Sequence, residues 1–218
     1  MRYNVKLKDL YFKREKSSQY IFKDANLDFK INKGLIMILG PSGSGKSTFL
    51  NLLNGLLLPG KGVIKINDIE ISKDSQLDLA EYRSSKCSLM FQHYPLVNWL
   101  TCKENLKLVT ENIDKLNNCL KSLDIEEIGN EFPEKISFGQ RQRVSLAQSL
   151  LIKTKIKLLD EPTSALGYDH KFKVIEFIKN TSKNMNNLVF LASHDRDLCQ
   201  YADKIYTIKN KKIYSGQH

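Results

Sequence analysis

The run GLIMILGPSGSGKSTFLNLL, residues 34–53, constrains this chain more than any other stretch. LIMIL is a continuous apolar segment after an NKG turn, which predicts a buried strand. It leads directly into Gly40, Pro41, Ser42, Gly43, Ser44, Gly45, Lys46 and Ser47, and an apolar helical pattern from Lys46 to about Leu57 follows. Strand, G-x-x-x-x-G-K-S and helix in that order describe a phosphate-binding loop. Small residues let the backbone curl until its N–H groups converge on phosphate oxygens, and the helix N-terminus adds a favourable dipole. Lys46 would reach the β and γ phosphates, Ser47 would offer a hydroxyl to Mg²⁺, and Thr48 completes the loop. The expected ligand is a nucleoside triphosphate with Mg²⁺.

A second stretch, IKLLDEPTSALGYDH from Ile156 to His170, ends an apolar run in two carboxylates and a proline. The run predicts a strand at Ile156–Leu159, and ligands of an open α/β sheet bind at such C-terminal tips. Mg²⁺ takes one or two carboxylates beside substrate phosphates, so Asp160 is the candidate metal contact. Glu161 is then free to orient or deprotonate an attacking water.

Around these motifs the pattern alternates between sheet and helix. Val5, Leu7 and Leu10, with Leu27, Phe29 and Ile31, predict a small antiparallel sheet. A PGKG turn precedes a strand at Val63–Ile66. Residues 94–152 read as helical, with Ile113, Leu116, Leu120 and Leu123 near one face. After Ile156 come a helix at Lys171–Lys183, the strand LVFLAS, a short helix and the hairpin KIYTIKNKKIY. The expectation is one domain over 1–218: a nucleotide-binding α/β core from 1–93 and 153–218, and a helical lobe over 94–152.

No apolar run reaches the roughly 20 residues needed to cross a bilayer, and the opening residues lack a signal-peptide core, so a cytoplasmic chain is expected. Net charge is +10, which suits an anionic partner, but the lysines are spread along the chain as on a solvated surface. No nucleic acid is expected. Cys87, Cys102, Cys119 and Cys199 lack metal or redox spacing and read as reduced structural thiols.

Further motifs resemble the ATP-binding cassette (ABC) family over nearly the whole chain, in the family's order. EKISFGQRQRVSLAQSL resembles its signature, LMFQHYPLVNWLTCKENL its glutamine loop with Gln92 as the glutamine, DEPTSAL its D-loop, and ASHD its switch histidine, His194. The resemblance implies an α/β fold: a P-loop NTPase core with a mainly parallel sheet, a small N-terminal antiparallel β-subdomain and an inserted helical subdomain. It implies ATP hydrolysis using Glu161, His194, Gln92 and Lys46, with Mg²⁺ held by Ser47, Gln92 and Asp160. Ser137, Gly139 and Gln140 would face ATP held by a second copy, giving a homodimer on ATP binding. A separate membrane permease would hold the chain at the cytoplasmic face of the membrane.

The chain also departs from the family pattern. Phe138 replaces the signature's first glycine, Gly167 the D-loop aspartate and Gln148 an arginine, while Lys157 interrupts an apolar strand. Arg14 falls where an adenine-stacking aromatic is usual, with Tyr11, Phe12 and Tyr20 as alternatives. The expectation is an intact catalytic set beside altered dimer contacts. Subgroup features look most like free-standing cassettes of the macrolide and lipoprotein exporter type, implying export of a peptide, lipoprotein or hydrophobic compound. The alternative is a non-transport ABC ATPase, either a cell-division regulator or a nucleic-acid or ribosome-associated protein.

Overall fold

The computed structural model describes residues 2–15, 17–91 and 95–217. Its centre is a six-stranded sheet in the order β10-β9-β3-β8-β7-β6. These strands are β3 (Gly34–Leu39), β6 (Cys87–Met90), β7 (Ile156–Asp160), β8 (Leu188–Ser193), β9 (Lys204–Lys209) and β10 (Lys212–Ser215). All neighbours run parallel except the terminal β9–β10 hairpin. Every residue of β3, β7 and β8 is buried, as expected of strands covered on both faces. A second, antiparallel sheet has the order β2-β1-β4-β5, from β1 (Tyr3–Phe12), β2 (Phe22–Ile31), β4 (Lys61–Ile66) and β5 (Ile69–Ile71).

The alternation Val5, Leu7, Leu10 changes phase, and the structure shows why. Asp9 has φ 50 and the β1–β2 register shifts between Leu7 and Leu10, so a bulge returns Leu10 to the core face. Gly62 on β4 packs against this bulge; a Cβ there would lie 2.2 Å from the Asp9 carbonyl oxygen.

Alternate residues of the parallel sheet feed two cores. Ile36, Ile38, Leu158 and Phe190 pack with the antiparallel sheet and α1 (Lys46–Leu53), where Phe49 and Phe29 both meet Phe190 edge-on. Leu35, Met37, Leu159 and Leu191 pack on the opposite side against a second set of helices. These include α3 (Cys102–Lys107), α4 (Ile113–Ser122), α5 (Phe138–Leu151) and α6 (Tyr168–Asn184).

Several elements differ from the sequence expectation. Helix α1 ends at Leu53 rather than near Leu57. Gly55, at φ 70, turns the chain, and the Tyr82 hydroxyl donates to the Leu53 carbonyl at 2.9 Å. Tyr82 lies on α2 (Leu79–Ser85), which the sequence reading missed together with β5 and β6. The short helix expected after β8 is a 3-10 turn over Arg196–Tyr201. Ile113 opens α4 and is exposed, while Leu116, Leu120 and Leu123 are buried as expected.

Lys157 interrupts β7 because it completes a helix end. It is fully buried, and its ammonium donates to the Ser149 carbonyl at 2.9 Å, to Thr154 Oγ1 at 3.0 Å and to the Ile152 carbonyl. Two of those acceptors are terminal carbonyls of α5, groups without an intrahelical partner. Burial pushes the Lys157 amine down to about 7.

Candidate active site

Three neighbouring strands, β3, β8 and β7, carry the phosphate loop, His194 and the two acids at their C-terminal ends. Sheet order thus brings together residues that are far apart in sequence. Gly43 and Gly45 take φ 77 and 107, conformations that strain any side chain, and no described residue lies within 4 Å of where a Gly43 Cβ would be. Gly45 begins α1, whose first amides point into the loop. A cavity of about 220 Å³ is lined by Arg14, Ile21, Ser42, Gly43, Gly45, Lys46, Ser47, Thr48 and Glu161.

Lys46 is buried, and its ammonium donates to the Gly40 carbonyl at 2.8 Å and the Pro41 carbonyl at 3.2 Å. It also lies 3.4 Å from Glu161 Oε1. The same carboxylate faces His194 Nδ1 at 3.1 and 3.2 Å. Glu161 therefore stands between a cation on the phosphate side and an imidazole on the other. Its backbone has φ 50, and its N–H donates to the Ala192 carbonyl at 3.0 Å, so the turn out of β7 is held by β8.

Asp160 is buried at the end of β7 beside the Ser47 hydroxyl. Burial pushes its carboxyl up, against the pull of Ser47 and Lys46, and the neighbouring Glu161 charge adds to the rise. Among the described residues, Asp160 Oδ1 and Ser44 Oγ are buried polar atoms without a hydrogen-bond partner. A hydroxyl beside a carboxylate with an orphaned oxygen fits a hard divalent cation. The open glycine loop, Lys46 and orphaned Ser44 Oγ fit a polyphosphate.

Ser137 and Gln140 form a capping box at the start of α5: Ser137 Oγ accepts from the Gln140 N–H at 3.2 Å, and Gln140 Oε1 from the Ser137 N–H at 2.8 Å. Gly139 packs against the 161–167 segment, where a Cβ would come within 3.0 Å of the Ala165 carbonyl oxygen. Phe138 is exposed beside it. Ser137, Gly139 and Gln140 line a different cavity from Lys46, so one chain does not bring the signature and cradle together. Gln92 lies outside the described residues.

Sequence reasoning missed Gln142. It is completely buried; its Nε2 donates to the Glu161 carbonyl at 2.8 Å and to Ser164 Oγ at 3.1 Å, and its Oε1 accepts from the Ala165 N–H at 3.1 Å. It therefore locks the start of α5 to the loop after the acids. The only hint was a glutamine spaced two residues beyond Gln140. Ile21, also missed, lines the cradle with Arg14, whereas Phe12 is in the core and Tyr11 packs edge-on with Tyr20.

The family profile described as ABC transporter matches residues 24–164. Over 198 residues the chain is 34% identical to HrtA of Staphylococcus haemolyticus, named provisionally as a hemin import ATP-binding protein, covering 86% of this chain and 89% of that one. It is 31% identical to the bacitracin export ATP-binding protein BceA of Halalkalibacterium halodurans, over 88% and 79% of the two chains. The dimeric structure of the ATP-binding cassette MJ0796, in a post-hydrolysis state bound to ADP and Pi, superposes with a TM-score of 0.84 at 28% identity, covering 98% of both chains. The chain belongs to the ABC transporter family: it is an ATP-binding cassette with a P-loop α/β fold, and an ATPase.

Proposed function

We propose that Glu161 and His194 form the hydrolytic pair of this ATPase. The observation that carries the reading is the Glu161 carboxylate lying 3.4 Å from Lys46 Nζ and 3.1 Å from His194 Nδ1. Residues 40–48 cradle the phosphates, Lys46 meets the β and γ charge, and Glu161 draws the proton from an attacking water while His194 holds that carboxylate in place. Ser47 and Asp160 would hold Mg²⁺, which offsets phosphate charge when bound, with Gln92 as a further contact.

Signature residues Ser137, Gly139 and Gln140 act on ATP bound by a second copy, so turnover requires a dimer. Residues 94–152 work as a helical lobe that couples this dimer to a separate membrane permease. The chain thereby sits at the cytoplasmic face, consistent with no described helix being long and apolar enough to cross a membrane. Export of a peptide, lipoprotein or hydrophobic compound fits the resemblance to BceA.

Glu161→Gln tests the hydrolytic assignment. MgATP binding measured by calorimetry should persist while turnover falls on the order of 10²–10⁴-fold. Wild-type turnover in this variant would refute the assignment.

A further inference from the structure

His194 reaches Glu161 from a segment anchored on both sides. Before it, Ser193 ends β8, and Ser193 Oγ accepts from the Asp195 N–H at 3.1 Å. After it, Asp195 uses one carboxylate oxygen to cap the following 3-10 turn, accepting from the Asp197 N–H at 2.9 Å. Its other oxygen lies 2.6 Å from the ammonium of Lys171.

Lys171 belongs to the first turn of α6, where its N–H donates to the Gly167 carbonyl at 3.1 Å. Its ammonium also sits 3.5 Å from Asp197 Oδ2 and over the rings of Tyr168 and Phe172, at 4.7 and 4.9 Å from their centroids. Surface ion pairs usually contribute little, because two long side chains are ordered in water for a screened attraction. This pair differs: the Lys171 side chain is only 13% exposed and Asp195 only 25%, and two aromatic rings already fix the ammonium. Lys171, Asp195, His194 and Glu161 line one cavity of about 220 Å³ on the other side of Glu161 from the cradle.

We infer that Lys171 is a positioning residue for hydrolysis: through Asp195 it fixes the segment from which His194 meets Glu161, and ties it to the Leu166–Tyr168 end of the loop following the acids. The inference rests on the assignment of Glu161 and His194 as the hydrolytic pair. The loop and the switch segment thereby become one mechanical unit. A change at Gly167 or Tyr168 is felt at His194 through this ammonium.

Full-length Lys171→Met, Lys171→Arg and Asp195→Asn, each with and without His194→Ala, decide the matter. Lys171→Met should lower kcat by roughly 10- to 100-fold, the scale for a small misplacement of a reacting group. KM and the calorimetric MgATP affinity should stay within about twofold, because the cradle is untouched. Lys171→Arg should recover most of the turnover, since it can remake the pair. In the His194→Ala background Lys171→Met should add no further loss.

Wild-type kcat in Lys171→Met overturns the inference, and so does an equal loss in both backgrounds, which would mean that Lys171 acts apart from His194. If His194→Ala alone keeps wild-type turnover, the hydrolytic assignment has failed and the inference falls with it. Should Lys171→Met not fold, Asp195→Asn breaks the same pair while leaving the lysine on its rings. The same expected and refuting results then apply to it.

Discussion

Replacing Lys157 by methionine should flatten the pH dependence of stability. The buried Lys157 amine titrates at about 7, against an ordinary value of 10.5 in the unfolded chain, chiefly because burial disfavours the ammonium. Between those values the unfolded state holds a proton that the native state has released. Stability from this group therefore rises with pH across the window, and the penalty is greatest below pH 7. The groups facing Lys157 are Lys155, which reinforces the shift, and Cys87 and Cys119, whose thiols burial raises to about 11 and which stay protonated in the window. With a half-protonated native amine at pH 7, integration to pH 9 gives about 2 kcal/mol of added stability in the wild type. Methionine preserves length but removes the donor from the Ser149 and Ile152 carbonyls, a cost of about 1–3 kcal/mol per unpaired buried group. That cost does not depend on pH and shifts the whole curve. Urea unfolding of both proteins at pH 7, 8 and 9 separates the two effects: the wild-type minus variant difference should grow by about 2 kcal/mol from pH 7 to 9. Parallel curves would refute the reasoning.

Lys46→Ala should weaken MgATP binding by roughly 10- to 100-fold in calorimetry, the equivalent of one charge-assisted contact; unchanged affinity would remove Lys46 from the phosphate site. Trp99 is 80% exposed, whereas Leu96 packs against the core and Val97 is tied by hydrogen bonds to the buried Asn105. Trp99→Glu should release the chain from membranes while leaving MgATP binding intact; cell fractionation showing wild-type membrane association would place the docking surface elsewhere. Phe138→Gly with Gly167→Asp should raise basal ATPase and ATP-dependent dimerisation, read by light scattering, and a native chain that already dimerises tightly on ATP would make both departures neutral.

The phosphate loop was legible because its residues are contiguous and its glycines serve one backbone shape. Asp160 and Glu161 were legible through their place at the end of an apolar run. Their partners were less so: Gln142 and Lys171 act through residues about twenty positions away, and nothing local marks a glutamine or lysine as buried. Lys157 looked like a defect in a strand because its acceptors are carbonyls of the preceding helix, which composition cannot reveal. β6 was missed because four residues without flanking Gly or Pro give too short a pattern to separate from the end of α2. The bulge before Leu10 was not expected either: the sequence shows Val5, Leu7 and Leu10, and the left-handed Asp9 that restores Leu10 to the core face is visible only in the strand register.

The order of the parallel sheet also divides the molecule by local stability. β3, β8 and β7 are each paired on both sides and wholly buried, so their amides should exchange with solvent only when most of the domain opens. β6 is an edge strand of four residues, paired among the described residues only with β7, and the chain leading to Trp99 and α3 departs from it. Fraying at that edge can proceed while the cradle, the acids and His194 remain assembled. The surface proposed to meet the membrane partner is therefore suspended from the compliant margin of the sheet, and the chemistry from its most protected strands. Hydrogen exchange should separate Cys87–Met90 from Leu35–Leu39 by orders of magnitude in protection.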